Sequence, residues 1–260
     1  MSATPEVLLI GAGRMAFHLG HALVQAGIPL LGVMGRDVER THQLALNLRC
    51  PALPWRPDPP PTTITLLAVR DDAVAEVAHW LRPRSGVLAH TSGALDLVAL
   101  KPHERRGVLW PIQSLSPGTP TDLGKVPLVV DGSDETTRAE LLHLARSISG
   151  RAVQMPGEQR QLVHLAAVFA SNFPVFLLDR AQELLRREGL PDDLLLPLWS
   201  ATTAKAAAVG PATALTGPAK RGDLHTIKRH LDRLKDDADL RRAYDLLSRM
   251  ISAAHGPKAE

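Results

Sequence analysis

The stretch Val7-Leu-Leu-Ile-Gly-Ala-Gly-Arg-Met-Ala16 constrains this chain more than any other. Its apolar run stops at Gly11-Ala12-Gly13, and an amphipathic segment begins at once. That order reads as a buried strand, a tight turn and a helix start. Gly11 permits the turn. Gly13 lets the backbone approach a pyrophosphate, and Ala16 is small enough for close helix–strand packing. The main-chain N–H groups from Ala12 through Arg14 and Met15, with the positive end of the helix, would then hold the phosphates.

Strand and helix patterns alternate through the first half. Leu30 to Met34, Thr63 to Val69, Gly86 to His90, Gly107 to Trp110, Val126 to Asp131 and Arg151 to Met155 read as strands. Six prolines between Pro51 and Pro61 exclude regular helix and indicate a surface loop. Ser133 and Asp134 are placed to cap a helix that runs to Ile148. Such alternation predicts a parallel sheet with helices on both faces, and ligands of such sheets bind at the carboxyl ends of the strands. From Pro156 onward the strand signals stop. One helix is expected from about Glu158 to Arg187, with Pro174 kinking or splitting it, and others over Leu194 to Val209, Leu224 to Leu234 and Ala238 to Ala254. The expected fold class is α/β: a Rossmann dinucleotide-binding domain over 1–155, then an all-helical substrate and dimerisation domain over 156–260.

The bulk composition narrows the partners. Net charge is +3, but bases interleave with acids, as in Lys228-Arg229-His230-Leu231-Asp232-Arg233. Aromatic residues make up only 3%, too few for base-stacking platforms, so no nucleic-acid partner is expected. No unbroken apolar run approaches the roughly 20 residues that span a bilayer, and no signal peptide is evident, so neither a membrane partner nor export is expected. A single cysteine, Cys50, forms no internal disulfide, and the 11 histidines show no metal-ligand spacing. These features point to a cytoplasmic protein with no bound metal. The apolar residues of the helical half, such as Leu194 to Leu196 and Leu198-Trp199, favour a homodimer.

Cofactor preference is read at the end of the second strand, where an acid would select NAD by accepting from the ribose hydroxyls. Gly35 and Arg36 stand there instead. A guanidinium pairs with a 2′-phosphate, so NADP is favoured over NAD. Asp37 and Arg40 lie beside it, and Val69 and Arg70 end the strand at 63–69.

Four residues stand out for chemistry. His90 could supply a proton near neutral pH, and Ser92 could donate to a substrate carbonyl or carboxylate, at a strand end where a helix is expected to start. Capping of that helix is the alternative role for Thr91 or Ser92. His164 and Asn172 lie eight residues apart in one predicted helix, about 80° apart around its axis. A polar pair on an apolar segment needs partners if buried. Gln113, Ser114, Lys205 and Arg221 are weaker candidates: a polar turn is the alternative for Gln113 and the favoured reading for Ser114, a solvent-facing position is the favoured reading for Lys205, and Arg221 lies in a turn that leads to a helix.

Several motifs together resemble a known family: Gly11 to Ala16, His90-Thr-Ser-Gly-Ala-Leu95, Pro111-Ile-Gln-Ser-Leu115, His164 with Ala170-Ser-Asn172, and Ala214-Leu-Thr-Gly-Pro218 with Arg221-Gly-Asp223. They are similar to the bacterial Rossmann-like NADP-dependent oxidoreductases that carry a C-terminal helical domain of uncharacterised function. More distantly the layout resembles pyrroline-5-carboxylate reductase and the β-hydroxyacid dehydrogenases, which usually dimerise through their helices. The sequence departs from the closer family at Trp110 and at Lys205. The resemblance implies hydride transfer to or from a small carbonyl, imine or alcohol in the cleft between the two domains. Two other readings stand beside it: a sensor or interaction protein that binds NADP(H) without turnover, and a deazaflavin-dependent reductase.

Overall fold

The computed structural model describes residues 5–83 and 85–256. In chain order the first elements are β1 (Val7–Ile10), α1 (Arg14–Gln25), β2 (Leu30–Met34), α2 (Val38–Leu48), β3 (Ala52–Leu53) and β4 (Ile64–Leu67). They continue with α3 (Asp71–Trp80), β5 (Val87–His90), β6 (Arg106–Pro111), β7 (Leu128–Gly132), α4 (Glu135–Ile148) and β8 (Ala152–Gln154). Helices follow: α5 (Gly157–Ala167), a π-helical turn at Val168–Asn172, α6 (Phe173–Arg187) and α7 (Leu196–Val209). The last are α8 (Pro211–Ala214), α9 (Pro218–Arg221), α10 (Leu224–Arg233) and α11 (Ala238–His255).

The eight strands form one sheet in the order β3-β2-β1-β4-β5-β6-β7-β8. Chain order reverses between β1 and β4, so their carboxyl ends mark the point where a ligand crevice opens. The side chains of β1 alternate between two cores. Val7 and Leu9 join a cluster with Leu19 of α1 and Leu44 of α2, while Leu8 and Ile10 join one with Val74 and Val77 of α3. Burial on both faces explains why β1 reads as a continuous apolar run. Each such leucine stabilises the fold by about 1.5–3 kcal/mol.

The expectation of a parallel sheet holds through β6. β7 runs antiparallel to β6, and β8 lies parallel to β7. The reason is the connection. The one regular element in the connection over 112–127 is a 3-10 turn at Leu123–Lys125, and a parallel return usually uses a crossover helix. Asp134 caps α4 by accepting the Thr137 N–H at 2.8 Å, as the sequence predicts.

Two compact units make up the chain, residues 1–171 and 172–260. The change from strands to helices at Pro156 precedes that division, because α5 packs within the first unit. Pro174 has no N–H to give to the carbonyl of Ala170, and the π-helical turn ends just before it. The whole stretch Gly157–Arg187 holds an 18-residue window of mean hydropathy 1.6, long and apolar enough to cross a membrane by length and composition. This is an averaged window and not an unbroken apolar run. His164, Ser171 and Asn172 interrupt the run without lowering its average below that level.

Candidate functional site

At the carboxyl ends of β1, β2 and β4 lies a cavity of about 270 Å³, lined by Gly11, Ala12, Gly13, Gly35, Arg36, Asp37, Arg40, Trp55, Ala68, Val69, Arg70, Ala73 and Val77. Gly11 has φ of 124°, and a Cβ there would run into the Ala68 carbonyl. Only glycine lets β1 turn so close to β4. Gly13 is different. Its φ of −93° suits any residue, and a Cβ there would meet nothing within 4 Å. Neither conformation nor packing within the chain requires glycine at 13, and the space it leaves is open. It is also the N-cap of α1 and offers no side-chain hydrogen bond, which leaves the first N–H groups of that helix free for a ligand. This cradle fits a diphosphate.

Charge at the end of β2 is divided. The Asp37 carboxylate accepts the Arg40 N–H at 3.0 Å as the cap of α2, and pairs with the Arg40 side chain at 3.2 Å. Arg36 is exposed and has no hydrogen-bond or ion-pair partner among the described residues. The one acid at this strand end is therefore occupied, and a guanidinium stands unpaired beside it. Arg70 pairs with Asp72 at 3.1 Å on the surface. Of the residues predicted from sequence for cofactor binding, Gly11, Ala12, Gly13, Arg36, Val69 and Arg70 line this cavity. Arg14 and Met15 do not. Arg14 is exposed on the first turn of α1, and Met15 packs on the core.

His90-Thr-Ser-Gly93 forms a second, tightly bonded group. No α-helix begins there, in contrast to the expectation: a turn leads into a 3-10 segment at Leu97–Leu100. Ser92 organises that turn. Its Oγ donates to the Asp71 carboxylate at 2.7 Å and accepts the N–H groups of Ala94 and Leu95 at 3.1 and 3.2 Å. With its proton and both lone pairs engaged, the hydroxyl shapes the loop. Thr91 Oγ1 donates to the Leu67 carbonyl at 3.3 Å.

His90 is fully buried, and its Nδ1 accepts the Ser92 N–H at 3.2 Å. The ring proton therefore sits on Nε2, which is buried without a hydrogen-bond partner among the described residues. Burial first, and the nearby Arg160 charge second, push its pKa down to about 4. The imidazole is neutral at physiological pH, and its Nδ1 is engaged by the loop through the Ser92 N–H.

Arg160 comes from α5 and is itself fully buried. It donates to Asp131 of β7 at 3.1 Å and to the Leu95 carbonyl at 2.5 Å. One guanidinium thus joins α5, the sheet and the Ser92 loop. Sequence inspection passes over it because a lone arginine near a helix start reads as surface.

The same anchoring sets His164 one turn further along α5. Its ring meets Trp110 edge-on, with centroids 5.6 Å apart, and its Nδ1 is enclosed without a partner among the described residues. Trp110 in turn leaves no room beside Gly93, where a Cβ would lie 2.5 Å from the indole. The structure therefore joins His164, Trp110 and the Ser92–Gly93 loop into one contiguous group, with His90 beneath it. Asn172 is exposed at the end of the π-helical turn. Gln113 folds onto its own neighbour, accepting the Ser114 N–H at 3.2 Å, and both are exposed. Lys205 and Arg221 are exposed.

Comparison with known proteins agrees with this architecture. Residues 126–251 match a domain of unknown function, DUF2520. A Bacteroides fragilis protein, provisionally assigned as an NADP oxidoreductase, is 31% identical over 96% of this chain and 98% of its own, with a TM-score of 0.83. A Thermotoga maritima protein is 23% identical over 94% and 96%, with a TM-score of 0.73. A reductive aminase from Aspergillus terreus, solved with NADPH and ethyl-5-oxohexanoate, shares the fold at 16% identity, over 99% and 97%, with a TM-score of 0.68. No curated protein matches the chain in sequence.

His90 gives the site a pH signature. The unfolded chain takes up a proton at the ordinary histidine pKa of 6.5 and the folded one only near 4. The unfolded state therefore binds more protons in between, and the stability from the neutral ring is complete above 6.5 and lost as pH falls toward 4. The full effect is about 3 kcal/mol. Thermal melts across this range should show the loss in the native protein and a flatter profile in His90→Gln. An identical profile in the variant would contradict the buried neutral ring.

Proposed function

Because the chain belongs to the family of Rossmann-like NADP oxidoreductases, we propose that it is an NADP-dependent oxidoreductase acting on a small carbonyl, imine or alcohol. The observation that carries this reading is the cradle at Gly11–Gly13, where open space and free helix N–H groups meet an unpaired Arg36. Main-chain amides of residues 12–15 hold the diphosphate, and Arg36 pairs with the 2′-phosphate. When bound, the nicotinamide supplies or accepts the hydride. His164 exchanges the accompanying proton at Nε2, since Nδ1 is enclosed, and Trp110 fixes the plane of its ring. The Ser92 loop, locked by Asp71 and Arg160, sets the shape of the substrate wall.

A saturated Ser92 and a neutral His90 also favour a second reading, a nucleotide sensor without turnover. Replacing His164 separates the two: the enzyme loses turnover while NADPH binding persists, and the sensor has no turnover to lose.

The cofactor assignment is tested by two variants. A Cβ at Gly13 meets nothing within 4 Å among the described residues, so Gly13→Val should still fold, with a loss of about 1 kcal/mol for the poorer N-cap, yet lose NADPH binding. Arg36→Ala should lower NADPH affinity by about 1.5–3 kcal/mol while sparing NADH. An unchanged ratio of the two affinities in calorimetry would refute the role of Arg36.

We also propose that the chain works as a homodimer through its helical unit. Among the described residues of 172–260 only Ala219 and Ser248 are buried. Phe176, Leu194, Leu198, Leu246 and Met250 are each more than half exposed. A unit of this size with so little interior needs a further surface to cover it. The apolar residues are spread over α6, α7 and α11 and the segment before α7, so the cover must be of comparable breadth, which a second copy related by a two-fold axis provides. Light scattering at micromolar concentration should give the mass of two chains, reduced to one by Leu198→Glu. A single-chain mass for the native protein would rule the dimer out, as would association with lipid vesicles in its place.

A further inference from the structure

The segment 51–61 reads from sequence as a surface loop, but its tryptophan lines the nucleotide cavity beside Val69, Ala73 and Val77. Trp55 is half-buried, and its indole is stacked on that of Trp80, the last residue of α3, with centroids 4.3 Å apart and planes 11° apart. Pro54 and Pro57 bracket Trp55 and limit the backbone on either side. Two further ties hold the loop to the end of α3. The Arg82 N–H donates to the Pro57 carbonyl at 3.0 Å, and the Arg82 side chain pairs with Asp58 at 3.6 Å. Trp80 thus occupies one face of the Trp55 ring, and Trp55 itself borders the cavity.

The cavity divides by chemistry. Arg36 supplies positive charge, Arg40 being paired with Asp37, and Gly11 to Gly13 supply main-chain amides. Trp55, Val69, Ala73 and Val77 supply a flat apolar wall, which neither phosphate nor ribose requires. A purine base does require one, since stacking is its strongest sequence-independent contact with protein. Resting on the nucleotide-binding reading above, we infer that Trp55 is the stacking wall for the purine of the bound nucleotide, with Trp80 fixing the ring in advance. Because the stack already orders both indoles, binding loses little side-chain entropy there. The Pro-rich stretch is then the arm that delivers this wall to the cavity.

The test uses the full chain with two probes, NADPH and adenosine 2′,5′-bisphosphate, which lacks the nicotinamide half. Trp55→Ala should weaken both by the same factor, roughly 5- to 150-fold, and Trp55→Phe should stay near the native value. A protein with Trp80→Phe, Trp110→Phe and Trp199→Phe retains Trp55 alone, and saturating adenosine bisphosphate should quench its emission. The inference is overturned if the native protein binds NADPH but Trp55→Ala binds it equally well, even with a lowered melting temperature. It is overturned too if the emission of the lone Trp55 does not move at saturation. If the native protein binds neither probe, the nucleotide-binding reading has failed, and this inference with it.

Discussion

Everything at this site depends on how closely β1 approaches β4 where the chain order reverses. The backbone at Gly11 turns against the Ala68 carbonyl in a conformation open to glycine and strained for other residues. That contact sets the start of α1 over the sheet edge with its first amides free. Gly13 keeps the approach to them clear, and β2 ends alongside with Arg36. A change at Gly11 would therefore disturb the fold, whereas a Cβ at Gly13 would enter the open space that the cradle offers a ligand.

The second constraint is the buried Arg160. A fully enclosed guanidinium pays a large desolvation cost, and its pairing with Asp131 does no more than offset it. Its value lies in position. By bonding Asp131 and the Leu95 carbonyl together, it fixes the start of α5 against β7 and the Ser92 loop. His164 and Trp110 then meet edge-on, and the neutral His90 tolerates the nearby charge because burial already disfavours its own protonation.

The strands other than β3, which lies in the stretch read as a surface loop, the main helices and the cofactor turn were legible in the sequence because each rests on local signals. The apolar runs of β1 and β4, the glycines at 11 and 13, and the cap Asp134 all act over a few residues. What was not legible depends on contacts distant in sequence. Ser92 reads as a helix cap or a substrate donor, yet its hydroxyl is committed to Asp71, 21 residues earlier. Arg160 acts through Asp131, 29 residues away, and no periodicity signals a charge that is buried by pairing. Trp55 sits among prolines that hide its place beside the cavity. The reversed direction of β7 follows from the lack of a crossover helix, which the strand pattern alone does not reveal.

The central claim is that the amides following Ile10 hold a diphosphate while Arg36 and Trp55 receive the adenosine end. A crystal of the protein grown with NADPH tests it most directly. The account predicts density for the diphosphate against the main chain of residues 12–15, with the 2′-phosphate at Arg36 and the base on Trp55. Density for the nucleotide elsewhere, or ordered solvent alone in this cavity at saturating NADPH, would contradict it.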